Sequence, residues 1–109
     1  MEKKAVTNLV IDLQDGFKDD TVILRINNDE VFRKKHITTD LRISLATRFT
    51  TNINSGEVQV EVIIPTKDLI DNYKFIINSE SYLGISIVES ELPNKKIKFI
   101  LSQEPFVYF

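Results

Sequence analysis

The 109-residue chain contains no cysteine and no tryptophan, only three glycines and three prolines, and a single histidine. Without cysteine there is no disulfide framework, no thiolate nucleophile and no cysteine metal site, so stability has to come from packing. One histidine excludes a multi-histidine metal centre. Charge of one sign is scarce as well: 14 Lys and Arg against 16 Asp and Glu leave a formal net charge of -2, which argues against a strong overall pull toward nucleic acid or anionic lipid. No apolar run has the length of a membrane span. Met1-Glu2-Lys3-Lys4 is followed by an apolar stretch broken by Thr7, Asn8 and Asp12, so the continuous core of a secretory signal is missing and the cytoplasm is the default expectation.

What is present is alternation. In Gly56 to Pro65, Val58, Val60, Val62 and Ile64 fall on one side of an extended chain and Glu57, Gln59 and Glu61 on the other, the two-residue period of a half-buried strand. The same pattern predicts strands at Val6 to Leu13, around Tyr73 to Ile77, over Tyr82 to Val88 and from Lys95 to Leu101. Thr21 to Lys35 reads as a hairpin with Asn27-Asn28-Asp29 at its tip. Leu41 to Leu45 and Arg48 to Ile53 read as two shorter strands separated by a bend near Ala46-Thr47, and Asn54-Ser55-Gly56 as a hairpin into the Val58 strand. Thr66 to Asn72 is a helical turn or a crossover loop. Gly84 marks a bulge or a close backbone approach, and Pro93-Asn94 a turn.

Seven or eight short strands without a long amphipathic helix predict one all-β domain over residues 6–109, an antiparallel two-sheet β-sandwich, with residues 1–5 as an extension. A closed barrel is the alternative. The outline resembles that of many immunoglobulin-like sandwiches, and Asp71-x-Tyr73 is similar to their tyrosine corner, although the cysteine and tryptophan hallmarks are absent.

Candidate chemistry is sparse. Asp12, Asp15, Asp19 and Asp20 around Gly16 supply carboxylates of the kind a calcium site needs, with Asp15, Asp19 and Asp20 as ligands, although the spacing matches no EF-hand; the bland reading is a solvated loop. His36 could act as a base on Ser44 or Thr38, but no nucleophile motif accompanies it. Arg33-Lys34-Lys35 and Lys95-Lys96-Lys98 are basic groups without interleaved aromatic platforms, so nucleic acid is not an expected partner. Tyr82-Leu83-Gly84 could stack on a sugar, or be plain core. The tail is the least ordinary stretch: Phe106, Val107, Tyr108 and Phe109 are too apolar to leave in water, so they form a final strand or plug in the domain's own core, or dock on a partner. Although an aromatic C-terminus resembles that of outer-membrane barrels, the strands here are short and sandwich-like. The expectation is a non-enzymatic module needing no cofactor, which binds a protein partner or itself through a sheet edge or Phe106 to Phe109. A calcium or carbohydrate module is the alternative.

Overall fold

A computed structural model describes residues 5–89 and 94–108. Among them the chain forms eight strands, β1 (Val6–Leu13), β2 (Asp20–Ile26), β3 (Asp29–Ile37), β4 (Thr47–Asn54), β5 (Gly56–Ile64), β6 (Leu69–Ile77), β7 (Ser81–Glu89) and β8 (Lys95–Ser102), with one 3-10 turn at Pro65–Lys67. They make two four-stranded sheets, ordered β4-β1-β7-β8 and β3-β2-β5-β6. All neighbours are antiparallel except β1 and β7, which run parallel with Leu9 opposite Ser81 and Leu13 opposite Ile85. The all-β sandwich read from the sequence is therefore the observed architecture. No helix among the described residues is long and apolar enough to cross a membrane.

The core lies between the sheets. Leu9, Ile11 and Leu13 of β1 and Leu83, Ile85 and Ile87 of β7 meet Val22 and Leu24 of β2 and the four alternating residues Val58, Val60, Val62 and Ile64 of β5. At one side Phe32 packs on Phe49 with ring centroids 5.5 Å apart; at the other Tyr73 stacks on Phe99 at 5.2 Å. These aromatic pairs join β3 to β4 and β6 to β8 across the sandwich.

The β2-β3 hairpin forms as the Asn signal predicts. Asn27 and Asn28 both adopt positive φ, 49° and 73°, the conformation a two-residue hairpin turn requires. The Asn27 side chain also accepts from the Gln59 N–H at 2.9 Å, which ties the tip to β5.

Other local expectations are overturned by tertiary demands. Leu41 to Leu45 is not a strand but a tight turn closed by the Asp40–Leu45 bridge, with the Ser44 and Ile43 N–H groups donating to the Asp40 carbonyl. Its alternating leucines have no sheet to bury them, and Leu41 stands 88% exposed. Asn54-Ser55-Gly56 is not a hairpin, because β4 and β5 belong to opposite sheets. The single residue Ser55 carries the chain across the sandwich, with its N–H donating to the Ala5 carbonyl at 2.8 Å. β6 starts at Leu69, straight after the 3-10 turn and an αL residue at Asp68, so most of the expected helical turn is strand. Pro93 lies outside the described residues.

Gly16 explains how the β1-β2 loop turns so close to β7. Its φ is +90°, and a Cβ there would sit 2.2 Å from the Ile87 carbonyl oxygen, itself backbone and unable to yield. Gly16→Ala combines a disfavoured φ with a backbone clash, so the expected cost is at least about 2 kcal/mol. A lower urea midpoint at an unchanged slope checks it.

Candidate functional site

The residues after β8 do not continue the sheet. A local turn, in which Ser102 Oγ accepts from the Glu104 N–H and donates to its carbonyl, reverses the chain. Gln103 anchors the return through Ser79, just before β7, and Ser81, the first residue of β7. Pro105 to Tyr108 then lie on the outer face of the β4-β1-β7-β8 sheet. The tail thus covers its own domain, but from outside and without forming a strand, unlike the core plug or final strand expected from its composition. Phe106 and Tyr108 are half-buried, whereas Val107 is 72% exposed. Phe109 lies outside the described residues.

Tyr108 is held by a polar row beneath it. Alternation sends Leu9, Ile11 and Leu13 into the core and Asp12 outward, yet Asp12 is only 1% exposed. The β1-β4 register sets Arg48 directly opposite, where Nε donates to Asp12 Oδ1 at 2.7 Å and an Nη to Oδ2 at 3.1 Å. The Tyr108 hydroxyl donates to Oδ2 at 2.6 Å and accepts from Gln14 Nε2 at 3.0 Å. Ser86 Oγ lies 3.5 Å from Gln14 Oε1 and accepts from the Asp15 N–H at 3.2 Å. Gly84 leaves room for the Gln14 amide: a Cβ at that position would meet Gln14 Oε1 at 2.6 Å. Of the two meanings expected for this glycine, close approach is observed. The ladders on either side of it run in register without a bulge.

These contacts decide the chemistry. Desolvation and the neighbouring Asp12 carboxylate push the Tyr108 phenol up to about 12, so near neutrality it stays a proton donor. Hydrogen bonding to Asp12 likewise raises the Arg48 guanidinium. The Asp12 carboxylate is committed to three donors, and the row works as a latch.

The predicted carboxylate cluster divides among separate tasks. Asp12 belongs to the latch. Asp20, also 1% exposed, accepts from Lys67 Nζ, Thr66 Oγ1 and, at 2.8 Å, the Lys18 N–H. Burial alone would raise its pKa, but the hydrogen bonds from Lys67, Thr66 and Lys18 outweigh it and hold the carboxyl below its ordinary range. This clamp joins the β1-β2 loop to the turn between β5 and β6. Asp19 pairs with the ring of His36, both well exposed, while Asp15 is exposed and contributes its N–H to Ser86. Among the described residues no three His, Asp or Glu side chains converge as metal ligands would. Thr38 Oγ1 accepts from the Asp19 N–H at 2.9 Å, and neither Thr38 nor Ser44 hydrogen-bonds to the His36 ring. Tyr82 donates to Glu80, which also accepts from Asn8, on the same outer face as the tail.

Sequence reading placed Asp12 in the acidic loop and Arg48 at the head of a separate strand, and missed that they meet, together with Gln14 and Ser86. The available signal was a carboxylate at outward parity within the otherwise aliphatic run Leu9 to Leu13. The turn after Asp40 adds apolar side chains at this end: Ile43 and Arg42 line one depression with Gln14, Asp15, Val107 and Tyr108, and Leu41 lines another with Phe17.

No protein-family model matches the chain, and no curated protein matches it in sequence.

Tyr108→Phe removes a hydrogen bond to a buried charge and should cost about 1.5–3 kcal/mol in urea unfolding. A folded-state phenol raised above its unfolded value contributes fully below about pH 10 and loses that contribution as pH climbs toward about 12. The variant should therefore flatten the alkaline fall in stability, which denaturation at graded pH reads out. Asp20 acts with the opposite sign, because its carboxyl is lowered from 3.8. Its contribution is present above the unfolded value and fades as pH falls through and below it, so Asp20→Asn should flatten the acid limb.

Proposed function

We propose that this chain is a non-enzymatic binding module, immunoglobulin-like in outline, which acts through protein contacts made by its aromatic tail or a sheet edge. The observation that carries this reading is the position of the tail. It rides on the outside of a sheet, held by one polar latch, and leaves Val107 exposed beside Ile43 on an end that also presents Leu41. Single exposed apolar side chains are ordinary, but a group of them on one end is the usual mark of an interaction surface. An outer-face position also leaves the tail accessible to a partner in a way that a strand in the core would not be. Ion pairs support the same reading: Asp12, Asp20 and Asp40 are each engaged by a cation of this chain, which leaves the apolar contacts as the attractive feature of that end.

Light scattering and thermal unfolding on the full chain and on a version ending at Glu104 test the proposal. The shortened chain should stay folded, melt at a temperature several degrees lower because the latch is gone, and lose whatever contacts the tail makes with a partner. Leu41→Asp and Val107→Asp should change stability by no more than about 0.5 kcal/mol, as surface substitutions do, while weakening the contacts made by this end. If these substitutions and the truncation all leave association as it was, the tail end is not the contact surface.

A further inference from the structure

Four strands border the two sheets: β3, β4, β6 and β8. An edge strand presents unpaired N–H and C=O groups, and natural proteins guard it with charge, proline, bulges or inward-pointing charged residues. Three of these edges are guarded. β3 carries Asp29, Glu30, Arg33, Lys34 and Lys35 and meets β2 through two register shifts. β8 carries Lys95, Lys96 and Lys98. β6 sets Asp71 at the parity of the core side chains Tyr73 and Phe75, with Lys74 on the other face.

β4 has none of these devices. It pairs with β1 over eight consecutive positions without a shift, and it contains no lysine, proline or carboxylate. Its one charge, Arg48, is tied to Asp12 of the neighbouring strand. No described strand borders its other side. A shallow depression runs along its second half, with Thr51 and Ile53 on one wall and Ile26 and Val31 of the opposite sheet on the other.

The order of side chains in β4 names the occupant. Directly opposed residues of an antiparallel pair share a face. Around Thr51 the strand has the same character in both directions: Thr50 and Asn52 are small, polar and outward, and Phe49 and Ile53 are apolar and inward. Arg48 and Asn54 follow, outward again. A second β4 running antiparallel about a two-fold axis at Thr51 therefore sets Phe49 opposite Ile53 of the second copy, beside the depression, and Thr51 opposite itself. Arg48 meets Asn54, so no like charges face each other. β8 centred on Ile97 and paired with itself would instead oppose Lys96 and Lys98.

We propose that β4 is a self-pairing edge, through which two copies of this chain join their β4-β1-β7-β8 sheets into one continuous sheet with two-fold symmetry. This rests on the protein-contact reading above and names its partner as a second copy.

Sedimentation equilibrium of the full chain across a wide concentration range, with amide hydrogen exchange at both extremes, tests it. The expected result is a reversible dimer in which β4 amides gain protection as concentration rises. Thr51→Lys places two lysines opposite each other at the axis and should raise the dimer dissociation constant at least about tenfold. Thr50→Lys, on the exposed outer face, keeps the test decisive if the first variant fails to fold, and should weaken pairing in the same direction. A chain ending at Glu104, run in parallel, should still dimerise. A wild-type chain that stays monomeric throughout, or a folded lysine variant that associates as the wild type does, overturns edge pairing. Association lost on truncation but kept in Thr51→Lys also overturns it, while leaving the tail reading intact.

Discussion

A charge that water cannot reach constrains the rest of this molecule. Asp12 is the penultimate residue of β1 and is almost wholly enclosed, and a buried carboxylate is costly unless it is paired and hydrogen-bonded. Its partners come from far apart in the chain: Arg48 from β4 and Tyr108 from the tail. The pairing also fixes register. Sliding β4 by one residue would turn Arg48 toward the core and Phe49 into solvent, losing the ion pair and the Phe32 contact together. One carboxylate thereby specifies how β4 lies against β1 and where the tail comes to rest.

Asp20 does comparable work at the loop end, where Lys67 and Thr66 reach it from the turn between β5 and β6. The two acids differ in what they hold. The Asp20 clamp connects segments already committed to one sheet, the start of β2 and the β5-β6 turn, and Thr39 steadies the adjoining loop by accepting from the Phe17 N–H and donating to the Gln14 carbonyl at 2.7 Å. The Asp12 latch holds a segment that belongs to no sheet. The tail relies on few polar contacts and limited burial, so it is the part most able to open without disturbing the core.

What could be read from the sequence was whatever depended on neighbours along the chain. The Val58 to Ile64 alternation gives β5 its buried face, and the paired asparagines give the β2-β3 hairpin, because period and turn conformation are local properties. Leu41, Ile43 and Leu45 show the same alternation and still form no strand, since burial needs a partner sheet that the topology does not bring there. Asn54-Ser55-Gly56 has hairpin chemistry, but two strands joined by a short link can pair in one sheet or cross between two, and residue identity at the link does not decide between them. The candidate site was the least legible. Tyr108 was recognisable as a residue needing cover, but its hydroxyl is held by Asp12 and Gln14 with Arg48 beside them, which become neighbours only after β1 has gained its strand partners.

That last dependence has a kinetic side. The parallel pairing of β1 with β7 joins the first strand to one near the far end of the chain, with most of the other strands lying between them in sequence. Loop closure of that length is slow, and folds dominated by such contacts reach the native state in milliseconds to seconds rather than microseconds. The β2-β3 and β5-β6 hairpins can form early from nearby residues, while β1 waits with Asp12 exposed and one long edge unpaired. A chain whose second sheet has formed and whose first has not would carry the longest unpaired edge and an uncovered apolar face, the features that favour aggregation.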